Sequence, residues 1–133
     1  MTSPGSSYRA AGVDRNLAAE AKERIARLAR TTFTPDVAND IGFFGSAFRV
    51  TGFRDPVLVS HTDGVGTKLK IAVQMGRLNT VGEDLVHHCV NDILTCGARA
   101  LFFLDYMGWG RLTPERAEAV ATGLAKACKA LGV

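Results

Sequence analysis

Seven residues, Thr62-Asp63-Gly64-Val65-Gly66-Thr67-Lys68, constrain this chain more than any others, because they join an apolar extended run to a polar bend hinged on two glycines. Each glycine lacks the Cβ that would resist positive φ or keep the backbone away from a phosphate. Asp63 and Lys68 flank the bend. A carboxylate and an ammonium so placed suit a metal-bound polyphosphate, the first on Mg²⁺ and the second on phosphate oxygens. The order Gly66-Thr67-Lys68 is not that of a P-loop, and Leu69 stands where a dinucleotide fingerprint requires its third glycine. The same spacing also fits an ordinary strand-to-turn connection ending in a solvated lysine.

The 133 residues form one domain, 1–133, or part of a larger one. A 47% hydrophobic and 22% charged composition is that of a soluble globular protein. No apolar run approaches the roughly 18 residues of a membrane span, and residues 1–7 lack the layout of a signal peptide, so no membrane role and a cytoplasmic location are expected. Cys89, Cys96 and Cys128 form no Cys-x-x-Cys pair and are expected as reduced thiols packed in a core. The net charge of +3 is spread without an aromatic-interleaved patch, which argues against a nucleic-acid partner and mildly favours small anions.

Residues 1–7 hold little to bury and are expected to be mobile without ligand, followed by a short segment that turns at Gly12. With Asn16 as N-cap, Leu17, Ala21, Ile25 and Leu28 mark a surface helix to Arg30, supported by Glu20/Arg24 and Glu23/Arg27 pairs. Residues 43–50 and 57–62 have strand character and suggest a hairpin that delivers Asp63 at its end. Residues 69–75 fit strand or helix, with a short helix preferred. Thr80 and Glu83 suggest a capping box for a helix over 81–96 that Gly97 stops. Residues 101–106, apolar on both faces, suit the middle of a sheet. Thr113 and Pro114 open a last helix that Gly132 ends. This order predicts an α+β fold, a mixed β-sheet with helices on one face.

Asp63, Asp92 and Asp105 each fall near the end of an element. Either they converge on a hard cation such as Mg²⁺, or they are unrelated surface acids. His61, His87 and His88 do not form a zinc pattern, since neighbours on a helix diverge by about 100° and no His-x3-His pair exists. His88, four residues from both Asp84 and Asp92, reads more simply as their hydrogen-bonding partner on one helix face.

Ser7-Tyr8-x-x-Ala11-Gly12-Val13-Asp14, the glycine loop extended to Leu69, Cys89-Val90-Asn91-Asp92-Ile93 and Leu101-Phe102-Phe103-Leu104-Asp105-Tyr106 occur in one order. In these four motifs the chain resembles the aminoimidazole ribonucleotide synthetases, the phosphoribosylformylglycinamidine cyclo-ligases of purine biosynthesis, from Tyr8 to its end. The resemblance implies an ATP- and Mg²⁺-dependent ligase acting on formylglycinamidine ribonucleotide, and a homodimer whose sheets pair across the interface. It implies nucleotide contacts at Asp14, Gly64, Val65, Gly66, Thr67, Lys68 and Asn91, catalytic roles for Asp63, Lys68 and Asp92, and metal ligation by Asp63, Asp92 and Asp105. The related selenophosphate synthetases, thiamine-phosphate kinases and hydrogenase maturation proteins fit less well. His87 and His88 replace small or apolar residues of that family, His61 replaces a glycine, and Arg99-Ala100 replaces Glu-Pro. Val133 precedes the family's Gly-Gly-Glu-Thr segment, so the chain is expected to be an N-terminal ATP-binding and dimerisation domain, inactive by itself.

Overall fold

A computed structural model describes residues 14–133. The expectations for residues 1–7 and for the turn at Gly12 lie outside them. Four helices carry the described fold, α1 (Arg15–Arg30), α2 (Lys68–Met75), α3 (Asn79–Thr95) and α4 (Pro114–Leu131).

The central element is α4, with α1 and α3 packed against it. Its sequence explains that position, because Ala117, Ala121, Ala125 and Ala127 are buried and keep the helix slim. At the α3–α4 crossing Gly82 faces Gly123, and a Cβ on either would overlap backbone atoms of the other helix. Ion pairs tie α1 to α4, since Glu118 accepts from Arg24 at 2.7 Å and from Arg27 at 3.1 Å. Arg27 thus reaches across to α4, while the expected Glu20–Arg24 pair forms within α1. Val86, Leu124, Ala127, Cys128 and Val133 make the core, against which Phe103 and Met107 pack.

The caps differ from expectation where a better acceptor lies nearby. Asp14, in extended conformation, accepts from the backbone N–H groups of Asn16 and Leu17 and so takes the N-cap role expected of Asn16. The capping box at Thr80 and Glu83 does not form. The α3 helix starts earlier, the Thr80 hydroxyl donates to the Arg77 carbonyl, and the Glu83 carboxylate pairs with Lys126 of α4. Thr113 and Pro114 open α4, and Gly97 follows α3, as expected. Residues 69–75 are helical within α2, which stops at a left-handed Gly76 that lets the Arg77 N–H reach the Ala72 carbonyl.

The expected α+β sheet is absent from the described residues. Segment 47–49 pairs with 36–38 instead of 57–62, through Ala38 N–H to Ala47 carbonyl and Arg49 N–H to Asp36 carbonyl, and this contact amounts to an isolated antiparallel bridge at Val37 and Phe48. Residues 57–62 and 101–106 have no ladder at all. Strand propensity reports how well a side chain suits a pleated, half-buried surface, and a strand still needs a neighbour to take its N–H and C=O groups. With no sheet among the described residues, the expectation of sheets pairing across a homodimer falls with it. The cysteine expectation also needs amending, since Cys89 and Cys128 are buried and Cys96 is exposed.

Candidate functional site

The extended run over 57–62 delivers Asp63 against the polar face of α3. Side chains two residues apart on an extended segment point the same way, which puts His61 and Asp63 side by side. On α3, His88 and Asp92 share a face through i,i+4 spacing. The two pairs meet. His61 Nε2 lies 3.0 Å from an Asp92 oxygen, His88 Nε2 lies 2.8 Å from Asp63 Oδ2, and His88 Nε2 is 3.8 Å from Asp92. Donor atoms of His61, Asp63 and Asp92 all fall within 4.8 Å of one another.

Local chemistry fixes Asp63. Its second oxygen accepts the Gly64 N–H at 2.6 Å, and the contact with His88, followed by that N–H, holds the carboxyl below the usual carboxylate range. The glycine bend then turns through Gly66, whose φ of 81° favours a residue without a side chain. Thr67 precedes α2 without a side-chain cap, and Lys68, the first residue of α2, pairs with Asp84 of α3. The two flanks of the glycine loop are therefore anchored to one helix at successive turns, Lys68 at Asp84 and Asp63 at His88.

The other expected site residues are dispersed. Asp14 caps α1, Asn91 is exposed on α3, Val65 is half-buried, and Gly64 and Thr67 lie exposed in the loop. Asp105 does not belong to the donor group formed by His61, Asp63 and Asp92. Much of its surface is accessible, yet neighbouring atoms desolvate the carboxyl enough to raise its pKa, with a Tyr106 backbone hydrogen bond opposing the shift. Cys89 lies next to the donor group, its thiol pushed up by burial.

Beside the donor group runs an open groove of about 1130 Å³ between 57–64, 96–106 and the Leu85, Cys89 and Ile93 side of α3. Asp63 and Asp105 line this groove, and Asp63 with Asp92 of the donor group has the oxygen chemistry that Mg²⁺ takes, usually together with phosphate oxygens and water. The imidazoles add nitrogen donors that Mg²⁺ does not seek. Asp63 and Asp92 are legible in the sequence from their places near element ends, whereas His61 has no assigned role there and His88 reads as a partner of Asp84 and Asp92 on its own helix. The i,i+2 and i,i+4 spacings were the available signal.

Residues 48–133 match the family described as AIR synthase related protein, N-terminal domain. A phosphoribosylformylglycinamidine cyclo-ligase of Thermosynechococcus vestitus is 52% identical over 126 residues, covering 94% of this chain and 37% of that protein. The enzyme of the same name from Xylella fastidiosa is 51% identical over 126 residues, covering 94% of this chain and 36% of its own length. That of Aromatoleum aromaticum is 51% identical over 130 residues, 97% of this chain and 37% of its own. The chain therefore spans little more than a third of the curated relatives it matches.

Proposed function

This chain belongs to the AIR synthase related protein N-terminal domain family, and on that footing we propose that it is the nucleotide-handling part of a phosphoribosylformylglycinamidine cyclo-ligase of purine biosynthesis. The reaction is an ATP-dependent ring closure of formylglycinamidine ribonucleotide to aminoimidazole ribonucleotide in the cytoplasm. ATP phosphorylates the formyl oxygen, the amidine-side nitrogen closes on that carbon, and phosphate leaves with the former formyl oxygen. Little of this chemistry needs a covalent partner, so the protein's share is positioning and charge neutralisation.

The observation that carries this reading is the meeting of the glycine-loop residue Asp63 with Asp92 and His88 of α3, with Lys68 anchored to Asp84 of the same helix. Asp63 and Asp92 offer oxygens to Mg²⁺, which when bound with ATP neutralises phosphate charge. Lys68 exchanges Asp84 for a phosphate oxygen when nucleotide arrives. The glycine-loop backbone and Asn91 lie along the nucleotide's path, with Asp14 and Asp105 in supporting positions. A homodimer completes the proposal, motivated by the exposed apolar side chains of 57–59 and 102–106.

The test is Asp63→Asn in the protein as its gene encodes it. This substitution keeps the shape and removes the charge a hard cation needs. Mg²⁺-dependent ATP turnover should fall on the order of 100-fold or more, as when one preorganised electrostatic group is removed from a reaction centre. Lys68→Ala should chiefly weaken ATP binding. An unchanged Mg²⁺ dependence of ATP binding in Asp63→Asn would defeat the reading.

A further inference from the structure

We propose that His61, Asp63, His88 and Asp92 form a chelate for a zinc-class transition cation, one that binds without nucleotide. The proposal shares two carboxylates with the cyclo-ligase reading but does not rest on ATP or on the ligase reaction.

Four side chains converge from two segments, and both spacings are those that chelates use. His61 and Asp63 are two apart on an extended run, and His88 and Asp92 are four apart on a helix. The separations fit as well. Metal–ligand bonds of roughly 2.0–2.2 Å at tetrahedral angles place neighbouring donor atoms about 3.4 Å apart. The contacts that form are 2.8 Å for His88 to Asp63, 3.0 Å for His61 to Asp92 and 3.8 Å for His88 to Asp92, which bracket that value; among the described residues the mutually close set, within 4.8 Å, is His61, Asp63 and Asp92, and His88 joins it as fourth ligand through its contacts with the two carboxylates. Small side-chain rotations admit an ion at the centre, since all four residues retain solvent access.

Donor chemistry selects the ion. Two imidazole nitrogens and two carboxylate oxygens suit Zn²⁺ or Co²⁺, whereas Mg²⁺ asks for oxygens in near-octahedral array. The third histidine provides a contrast. His87 is exposed, lies outside the donor group, and has Nδ1 engaged by the Glu83 carbonyl at 2.7 Å. It takes no part.

Cobalt titration of the metal-stripped protein, without nucleotide, tests this directly. One equivalent of Co²⁺ should bind and give visible d–d bands of a four- or five-coordinate nitrogen–oxygen site, and a large excess of Mg²⁺ should not displace it. A His61→Ala/His88→Ala protein should bind Co²⁺ at least about 100-fold more weakly, the upper range of what losing even an outer-shell partner costs. His87→Ala should bind as wild type does. The proposal is overturned by no visible bands at one equivalent, by displacement by equimolar Mg²⁺, or by a thiolate charge-transfer band assigning the metal to Cys89 or Cys96. Equal Co²⁺ affinity in the double variant and wild type would do the same. Because the probe is cobalt alone, failure here leaves the ATP reading standing, and failure of Mg²⁺-dependent ATP turnover leaves the chelate standing.

Discussion

The three cysteines differ sharply in what surrounds them, and their reactivity should divide accordingly. Cys96 is exposed just beyond α3, whereas Cys128 is buried in the α4 core and its thiol is pushed up to about 11, chiefly by burial and then by the nearby Asp105 carboxylate. A maleimide at neutral pH should therefore label Cys96 first and reach Cys89 and Cys128 only on unfolding, as intact mass would record. The raised thiol also has a pH consequence. A pKa above the unfolded value means that the fold holds its proton more tightly, so the contribution is complete below the ordinary value of 9.0 and is lost as pH rises towards about 11. Urea midpoints should fall over that window in wild type and fall less in Cys128→Ala; equal slopes would count against the assignment. Site residues were legible to a similar depth. Asp63 and Asp92 stood out because a carboxylate at the end of an apolar element demands a reason. His61 and His88 did not, because periodicity tells which residues share a face and is silent on which faces meet.

Among the elements, helices were easier to foresee than extended segments for a physical reason. A helix satisfies its own backbone within the segment, so Thr113, Pro114 and the buried stripe from Ala117 to Cys128 announced α4 unaided. Residues 57–62 and 101–106 have strand-like side chains, but their hydrogen-bonding partners would have to come from elsewhere, and nothing within a segment states whether they do. The α3–α4 contact was not foreseeable either, since Gly82 and Gly123 inside helices look like liabilities until their partner is known. That contact carries a prediction. Gly123→Ala would drive a Cβ into the Asn79 carbonyl and the Glu83 N–H, both backbone, so the helices must separate. Overpacking of this kind costs about 1–3 kcal/mol, which denaturant unfolding measures. Gly110→Ala, where a Cβ meets nothing within 4 Å, is the control and should leave stability nearly unchanged. Equal stability of the two variants would mean that the crossing is looser than described.

At the scale of the whole molecule, the helices cover only one side of the extended segments. Phe103 and Met107 pack into the core beside α4, while Val57 is 89% exposed, Leu104 65% and Tyr106 92%. Apolar side chains gathered along adjoining runs differ from scattered surface leucines, because a monomer seldom leaves such a patch in water. A second copy is the proposed cover. Each large side chain it buries contributes roughly 1.5–3 kcal/mol of transfer free energy, against several kcal/mol of lost translational and rotational freedom, so a few of them tip the balance towards association. Charges placed in the patch should reverse this. Leu58→Glu with Leu104→Glu sets repelling carboxylates where apolar contact is needed, while both positions are already solvent-accessible in the single chain and their loss spares the α4 core. Sedimentation equilibrium should find a discrete dimer for the wild-type protein and a monomer with unchanged helical circular dichroism for the double variant. A wild-type protein that stays monomeric at high concentration would leave the patch without a second copy, and a double variant that stays dimeric would move the interface elsewhere.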